Sequence, residues 1–332
     1  MMGHQSTSGK TELLRALSSS ENSSTHVSRR RALFTGATFA MAHSGLGSAA
    51  AQPVQQSSEL DLSPGRATLN AFMKLQTSIS EQDIYYWYSG AYDGSLFGRS
   101  LSSMIGFQAI VKRRVSKPAE GLFHVTTWEA FYFHPLGDRT PIDGVYVNPL
   151  DGREVRPFHH KEGPTTFVYS EQSPRILGSD ILNRPEKTLF EMPWSVSGNS
   201  VWMQRETFLD IPHFWNDEQR KSRADEVSQD RIRYSSIGTH FGRIDELLDE
   251  DIQSASSLFN YQATCDFLPW FKLANVPGAM IWRANGLKFQ EVGKMPSEIL
   301  AAFEKIHPEI FEDIPWSSFR TLFHDYLEQV DP

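Results

Sequence analysis

One cysteine, Cys265, occurs in the 332 residues. No intrachain disulfide is available, so in an oxidising compartment the fold has to be held by packing. Basic residues are outnumbered, 32 Lys/Arg against 40 Asp/Glu, which leaves a net charge of -8. No basic face is on offer to neutralise phosphates, and nucleic acid is excluded as a partner. Long apolar runs are missing too. The best stretch, residues 32–51, is rich in Gly, Ala and Ser and contains His43, too polar for a membrane span. There is no HExxH, no Cys/His set at metal-ligand spacing, no GxSxG elbow, no Gly-rich phosphate loop and no dinucleotide fingerprint. Metalloprotease, hydrolase-elbow and nucleotide chemistries therefore have no motif behind them. Ser195, in Trp194-Ser-Val-Ser-Gly198, resembles an elbow only loosely and falls at an expected turn. No metal site is expected, and the cofactor, if any, is unknown from the residues.

What is present begins with an address. Ser28-Arg29-Arg30-Arg31 precedes the weakly apolar run, which ends in Ala49-Ala50-Ala51 before Gln52. A charged segment, a short apolar segment and a small-residue site in that order predict a signal peptide over 1–51. The paired arginines make it a twin-arginine one, with the translocase as a partner through Arg29 and Arg30. Cleavage near Ala51 would leave the protein periplasmic or secreted. Residues 1–51 carry five Lys/Arg and two Asp/Glu, so their loss takes the net charge from -8 to -11. Residues 52–62 read as a flexible mature N-terminus, and 63–332 as one β-rich domain. Hydrophobic residues at 39% and aromatics at 12% give that domain enough for a sizeable core.

Ser63-Pro64 predicts a helix start, with Leu69, Phe72 and Met73 on one face. From Ile84 the period becomes that of strands: Ile84 to Tyr88, then a loop from Gly90 to Gly98 around Asp93-Gly94, then Met104 to Val115. Gly121 to His160 reads as a long strand, a polar turn, a short strand at Val145–Asn148, an Asp151-Gly152 turn and a returning strand. Thr165–Ser170, Leu189–Trp194, Val201–Ile211, Ile232–Ile244, Leu258–Leu268 and Met280–Trp282 follow, with a hairpin at Gly198-Asn199. Asp245 to Asp251 reads as a solvated acidic loop, without the spacing of a calcium loop. Ser297 is expected to cap one trailing helix and Pro315-Trp316 to open another. The sum is mainly β: an antiparallel sheet curled into a barrel or half-barrel, with one N-terminal and two C-terminal helices packed against it.

A set of local motifs spans residues 65–315. It includes Leu69-Asn70-Ala-Phe-Met-Lys74, Trp128-Glu129, Asn148-Pro149-Leu-Asp-Gly152-Arg-Glu-Val155, Val201-Trp-Met-Gln-Arg205-Glu206, Phe267-Leu-Pro269-Trp270, Arg283-Ala-Asn-Gly286 and His307-Pro308. By these the chain resembles the bacterial domain-of-unknown-function 1838 family. Two aromatics depart from the family pattern: Val145 or Tyr146 and Phe267 stand where it tends to have Trp. A twin-arginine leader is common among similar proteins, so the resemblance supports export. It implies no activity.

Chemistry is best sought among charges on apolar strand faces. Glu129 shares a face with Phe123, Val125, Phe131 and Phe133, and Arg205 lies between Met203 and Thr207. Either residue is costly to bury alone, so the two pair with each other, pair with a ligand, or Glu129 sits at a bulge. In a barrel lumen Glu129 becomes the candidate catalytic acid or base, its pKa raised by desolvation. Arg205, Gln262, Asp266, Asn148 and His160 are then the candidate ligand contacts, with Thr264 beside Gln262. His159 and His160, being adjacent in a strand, point to opposite faces. His124, His134 and His240 converging on an ion is an alternative set aside in favour of ordinary packing, as is a reactive Cys265. The leading expectation is an exported protein with a pocket for a small organic ligand, either binding it only or converting it by acid–base chemistry of lyase, isomerase or cyclase type. The alternatives are a non-catalytic periplasmic structural or interaction module, drawing on eight Trp and ten Tyr, and a cofactor-loaded redox enzyme prompted by the export route.

Overall fold

The computed structural model describes residues 60–96, 100–172, 175–176, 189–313 and 321–330. The expected signal segment and cleavage site, residues 52–59, Gly98, the prolines at 174 and 185, and the Pro315-Trp316 helix start lie outside them.

Twelve strands dominate these residues: β1 (Gln82–Leu96), β2 (Ser102–Ala119), β3 (Leu122–His134), β4 (Tyr146–Val147), β5 (Glu154–Val155), β6 (Lys161–Tyr169), β7 (Arg175–Ile176), β8 (Trp194–Ser197), β9 (Ser200–Pro212), β10 (Arg231–Arg243), β11 (Leu258–Cys265) and β12 (Gly278–Phe289). Ten of them form one sheet in the order β7-β6-β3-β2-β1-β12-β11-β10-β9-β8, and β4 and β5 make a separate two-stranded hairpin. All the pairings are antiparallel. Two meanders thus run outward from the central β1–β12 pair.

The chain itself proves that the sheet is curled. Phe190 donates its backbone N–H to Glu171 O (2.7 Å) just beyond β6, near one edge. Trp194 opens β8, the opposite edge strand. Four residues reach at most ~14 Å, whereas ten strands laid flat span ~43 Å. The sheet bends into a half-barrel whose two edges approach there.

Helix α1 (Arg66–Gln76) plugs that end. Leu69, Phe72, Met73 and Leu75 are fully buried against Val115, Phe123, Tyr169, Phe190, Val201 and Met203, side chains drawn from both meanders. The helix begins two residues later than Ser63-Pro64 predicts. Gly65 is its N-cap, with no side-chain cap bond, and Gly65 N–H is fixed instead by Phe190 O at 2.7 Å. At the other terminus Lys288 Nζ donates to the carbonyls of Lys74 (2.7 Å), Leu75 (3.0 Å) and Thr77 (3.1 Å). Arg113 Nη1 reaches Gln76 O at 3.4 Å. The negative end of the helix dipole thereby meets two cations that have left water.

Helix α2 (Asp217–Ser222) carries an Asn216–Gln219 capping box. Helix α3 (Ile244–Leu248) occupies the first half of the segment expected to be an acidic loop. Its start is tied to the β8–β9 turn by Asp245 N–H on Asn199 Oδ1 (3.0 Å). Helix α4 (Ser297–Ile306) covers the convex face of β1–β3, burying Ile299 and Phe303 against Trp128, Ala130 and Tyr132. Ser297 is its first residue rather than its cap; Pro296 holds that position. Helix α5 (Leu322–Val330) lies near β6, with Trp215 Nε1 donating to Phe323 O at 2.9 Å.

Other boundaries move for identifiable reasons. β1 runs straight through Asp93-Gly94 because Asp93 is satisfied within the sheet, by Ser103 Oγ (2.6 Å) and Arg283 (3.2 Å). The returning strand expected over 153–160 is only β5, and Leu189–Trp194 forms a single bridge before β8. No helix among the described residues is long and apolar enough to cross a membrane.

Candidate functional site

The concave face of the sheet lines a cavity of about 1990 Å³. Cross-strand register orders the residues of this face. Met203, His240, Phe259, Gly286, Tyr88, Ala109 and Phe131 fall in one continuous row, each opposite the next. The adjoining row runs Arg205, Gly238, Tyr261, Ala284, Gly90, Phe107, Phe133. Small residues sit between large ones, so rings lie over glycines: Tyr88 crowds the space above Gly286 and Phe107 that above Gly90. Trp282 packs edge-on against Phe107 (5.6 Å), Phe131 (5.5 Å) and Tyr92 (5.5 Å).

Glu129 and Glu162 interrupt this aromatic lining. They stand directly opposite each other on β3 and β6, and both line the cavity. At Gly163-Pro164 the register shifts, two β6 residues facing the single Trp128. Gly163 holds φ +93°, and a side chain there would collide with Thr127 O. This bulge turns Glu162, Thr165 and Phe167 all inward, which plain alternation forbids.

The pair is electrostatically strained. Burial pushes the Glu162 carboxyl up to about 8, helped by repulsion from Glu129 and from Asp325 on α5. Glu129 is also raised by burial, against the pull of Arg113. Each keeps an open side toward the lumen, Glu162 being 35% accessible. Two facing carboxyls in such a place resist being charged together, and at neutral pH Glu162 holds its proton.

His160 completes this corner. It stacks on Phe131 (ring centres 4.6 Å apart) and is held neutral by burial, its pKa lowered to about 3. Its Nδ1 lies 3.3 Å from Phe158 O, an atom that can only accept, so the proton is on Nδ1. Nε2 then turns a lone pair toward Glu162 Oε1, 3.9 Å away. With the ring neutral this is no ion pair but a polar contact favouring protonated Glu162. His159 faces the other way, accepting from Phe133 N–H at 3.0 Å and donating to Ile142 O at 2.9 Å.

The expected contacts distribute unevenly. Glu129 and His160 come together; Arg205 lines the cavity but lies at its seam, near Phe167, and the cation nearest Glu129 in effect is Arg113. Gln262 and Thr264 are exposed, because the aromatic face of β11 is the luminal one. Their assignment to the lumen is therefore corrected. Asp266, just past β11, is at the cavity margin, its carboxyl raised by burial. Asn148 is buried in the turn before β5, where Oδ1 accepts Leu150 N–H (3.0 Å), and it does not reach the cavity. Cys265 lies in the wall with its thiol pushed up to about 12 by burial. His124 and His134 do not join His240 there, and no metal-binding cluster occurs among the described residues.

Sequence reasoning misses Glu162 and Arg113, and it names His240 only within the set-aside histidine cluster. A signal existed for one of them: Glu162 follows His160 by two, the spacing that keeps residues on one face of a strand.

A family model described as "Protein of unknown function (DUF1838)" matches residues 81–320. The chain belongs to this family. The DUF1838 match spans every strand of the half-barrel and both luminal carboxylates. No curated protein matches the chain. A solved structure described as "Lipid-protein interactions in lipovitellin" is similar at a TM-score of 0.27 and 9% identity, over 64% of this chain and 25% of that chain. The DUF1838 chain thus spans about a quarter of that protein's length.

Proposed function

We propose that the half-barrel binds a small organic ligand in its lumen and that Glu129 and Glu162 carry out acid–base chemistry on it, of lyase, isomerase or cyclase type. The observation that carries this reading is the facing of two carboxyls, Glu129 and Glu162, inside an aromatic cavity of about 1990 Å³. The proton on Glu162 makes it the donor, and Glu129, lowered by Arg113 against its burial, is the acceptor, which is what proton transfer across one substrate needs. His160 Nε2 lies 3.9 Å behind Glu162 Oε1, and Arg113 opposes the burial that raises Glu129. The reading is completed by export through the twin-arginine route, prompted by Arg29 and Arg30, so that the ligand is met outside the cytoplasm.

Native mass spectrometry of mature protein purified from its own periplasm, against the denatured mass, tests it. A retained organic molecule lost in Glu129→Gln or Glu162→Gln supports the proposal. A bare mass, together with no binding difference between wild type and both variants across a ligand screen, would sink it.

A non-catalytic interaction module is the second reading, favoured by the uncovered convex row Phe241–Leu258–Leu287, whose members are 40%, 47% and 44% exposed. Sedimentation of wild type against Leu258→Glu separates the two: a loss of assembly with ligand binding intact would favour the module.

A further inference from the structure

At the closed end of the lumen the cations are held largely by the protein itself, although Nε of Arg113 is buried without a hydrogen-bond partner. Lys288 is occupied by three carbonyls of the α1 end, and Arg113 by Gln76 O and by the ring of Tyr86 beneath it at 4.8 Å. Toward the rim, Arg231 pairs with Asp210 (2.5 Å) and Arg223 with Glu226 (3.2 Å). Arg205 lies over Phe167. An anionic head group driven to the closed end would meet Glu129 with the nearby cations already engaged. A cationic one would have to compete with Arg113 for that carboxylate.

What the closed end does offer is hydrogen bonding. The carboxyl pair presents a donor and an acceptor side by side, with the neutral His160 behind it. Beyond it the aromatic residues of the wall include Tyr92, Phe167, Phe259, Tyr261, Phe267 and Trp282. The volume, about 1990 Å³, is roughly twice the upper end of ordinary ligand pockets, about 1,000 Å³. That leaves room for several fused rings or a long chain.

Resting on the ligand-pocket reading above, we infer that the lumen takes an uncharged, mostly hydrocarbon molecule of more than ordinary ligand size, whose one hydroxyl or carbonyl oxygen is held between Glu129 and Glu162 at the closed end. The oxygen enters first and the hydrocarbon fills the aromatic wall. A hydroxyl can donate to one carboxyl and accept from the other; a carbonyl accepts from the protonated one. Both are matched by a pair holding one proton, and a ligand carboxylate is matched by neither arrangement.

Three probes of one skeleton test the class: 1-pyrenebutanol, 1-pyrenebutanoate and 1-pyrenebutylammonium, titrated against the folded mature protein at pH 7. Binding is read by energy transfer from tryptophan, with Trp282→Phe as the check that the probe sits against the wall. The alcohol should bind at least about tenfold tighter than either charged probe, since like charge or displaced pairing costs the others. In the double variant Glu129→Gln/Glu162→Gln, the butanoate should gain about tenfold while the alcohol stays within about threefold. Butanoate or ammonium binding as tightly as the alcohol in wild type would overturn this inference while leaving the pocket itself standing. Saturation by none of the three would count against the pocket as well. If the double variant does not fold, wild type from pH 6 to 9 serves: the preference for alcohol over butanoate should widen as the pair loses its proton, and a constant ratio would overturn the assignment.

Discussion

The guanidinium of Arg205 on β9 lies 6.0 Å from the ring centre of Phe167 on β6. These strands are second from opposite edges of the sheet, so one cation–aromatic contact spans the seam of the half-barrel. Arg205→Ala should cost little stability, about 0.5–1 kcal/mol for a contact of this kind. Its larger effect should be on access: stopped-flow measurements should show faster entry and faster release of a luminal probe. Unchanged rates would mean that ligands pass elsewhere.

Stability should peak near pH 6.5. His160 and His213 are lowered by burial to about 3 and about 4 from 6.5, and His240 lies well below 6.5. Lowered histidines stabilise the fold fully above 6.5 and lose that contribution as the pH falls, because the unfolded chain takes up the protons first. Glu162 works in reverse. Raised from 4.5 to about 8, it favours the fold most below 4.5 and progressively less up to about 8. Thermal melts across pH 4–9 should give a steep acid limb and a shallower alkaline one. In Glu162→Gln the alkaline limb should flatten, with a higher melting temperature at pH 8 and little change at pH 4.5. Equal destabilisation at both values would show that the carboxyl is not strained.

Lys288→Met keeps the length of the side chain and deletes the ammonium. The carbonyls of Lys74, Leu75 and Thr77 lose its hydrogen bonds. Ala255 N–H still serves Lys74 O and Ser254 Oγ still serves Thr77 O (2.6 Å), so the loss falls on Leu75 O; a buried carbonyl left unsatisfied costs about 1–3 kcal/mol, and urea unfolding should show a loss of that size. A neutral outcome would mean that Ala255 N–H, which already bonds Lys74 O at 2.9 Å, suffices to close the helix.

Gly163→Ala should be disproportionately harmful for a single methyl. The residue holds φ +93° with Thr127 O where the methyl would go, and strain of this kind costs about 1–3 kcal/mol. Since the bulge aims Glu162 inward, probe affinity should fall along with stability. Stability loss with affinity intact would separate the bulge from the site.

The parts legible in the sequence were those written locally. The Asp151-Gly152 and Gly198-Asn199 turns do join β4 to β5 and β8 to β9, the α1 face is the buried one, and Glu129 lies on the concave face its apolar neighbours indicated. What escaped was written at long range. Asp93-Gly94 has the composition of a turn, and its partners Ser103 on the neighbouring strand and Arg283, 190 positions on in the chain's numbering, make it strand. Glu162 was hidden because alternation fails at Gly163-Pro164, and a bulge is set by the partner strand. Arg113 is the middle one of three successive basic residues, 112–114, and composition does not set it apart. Its inward aim follows from its register with Thr127 and from the α1 carbonyl waiting there.

The order of strands also says how the chain assembles. Every neighbour within a meander is close in sequence, whereas β1 and β12 meet across nearly the whole domain. Closing a loop that long is the entropically dear step. Each meander can form its hairpins as soon as it has emerged from the ribosome, but the cavity exists only after β12 docks on β1. Any molecule held in the lumen therefore binds after synthesis of the C-terminal meander is finished, and its binding energy adds to the contacts that join the two halves of the chain.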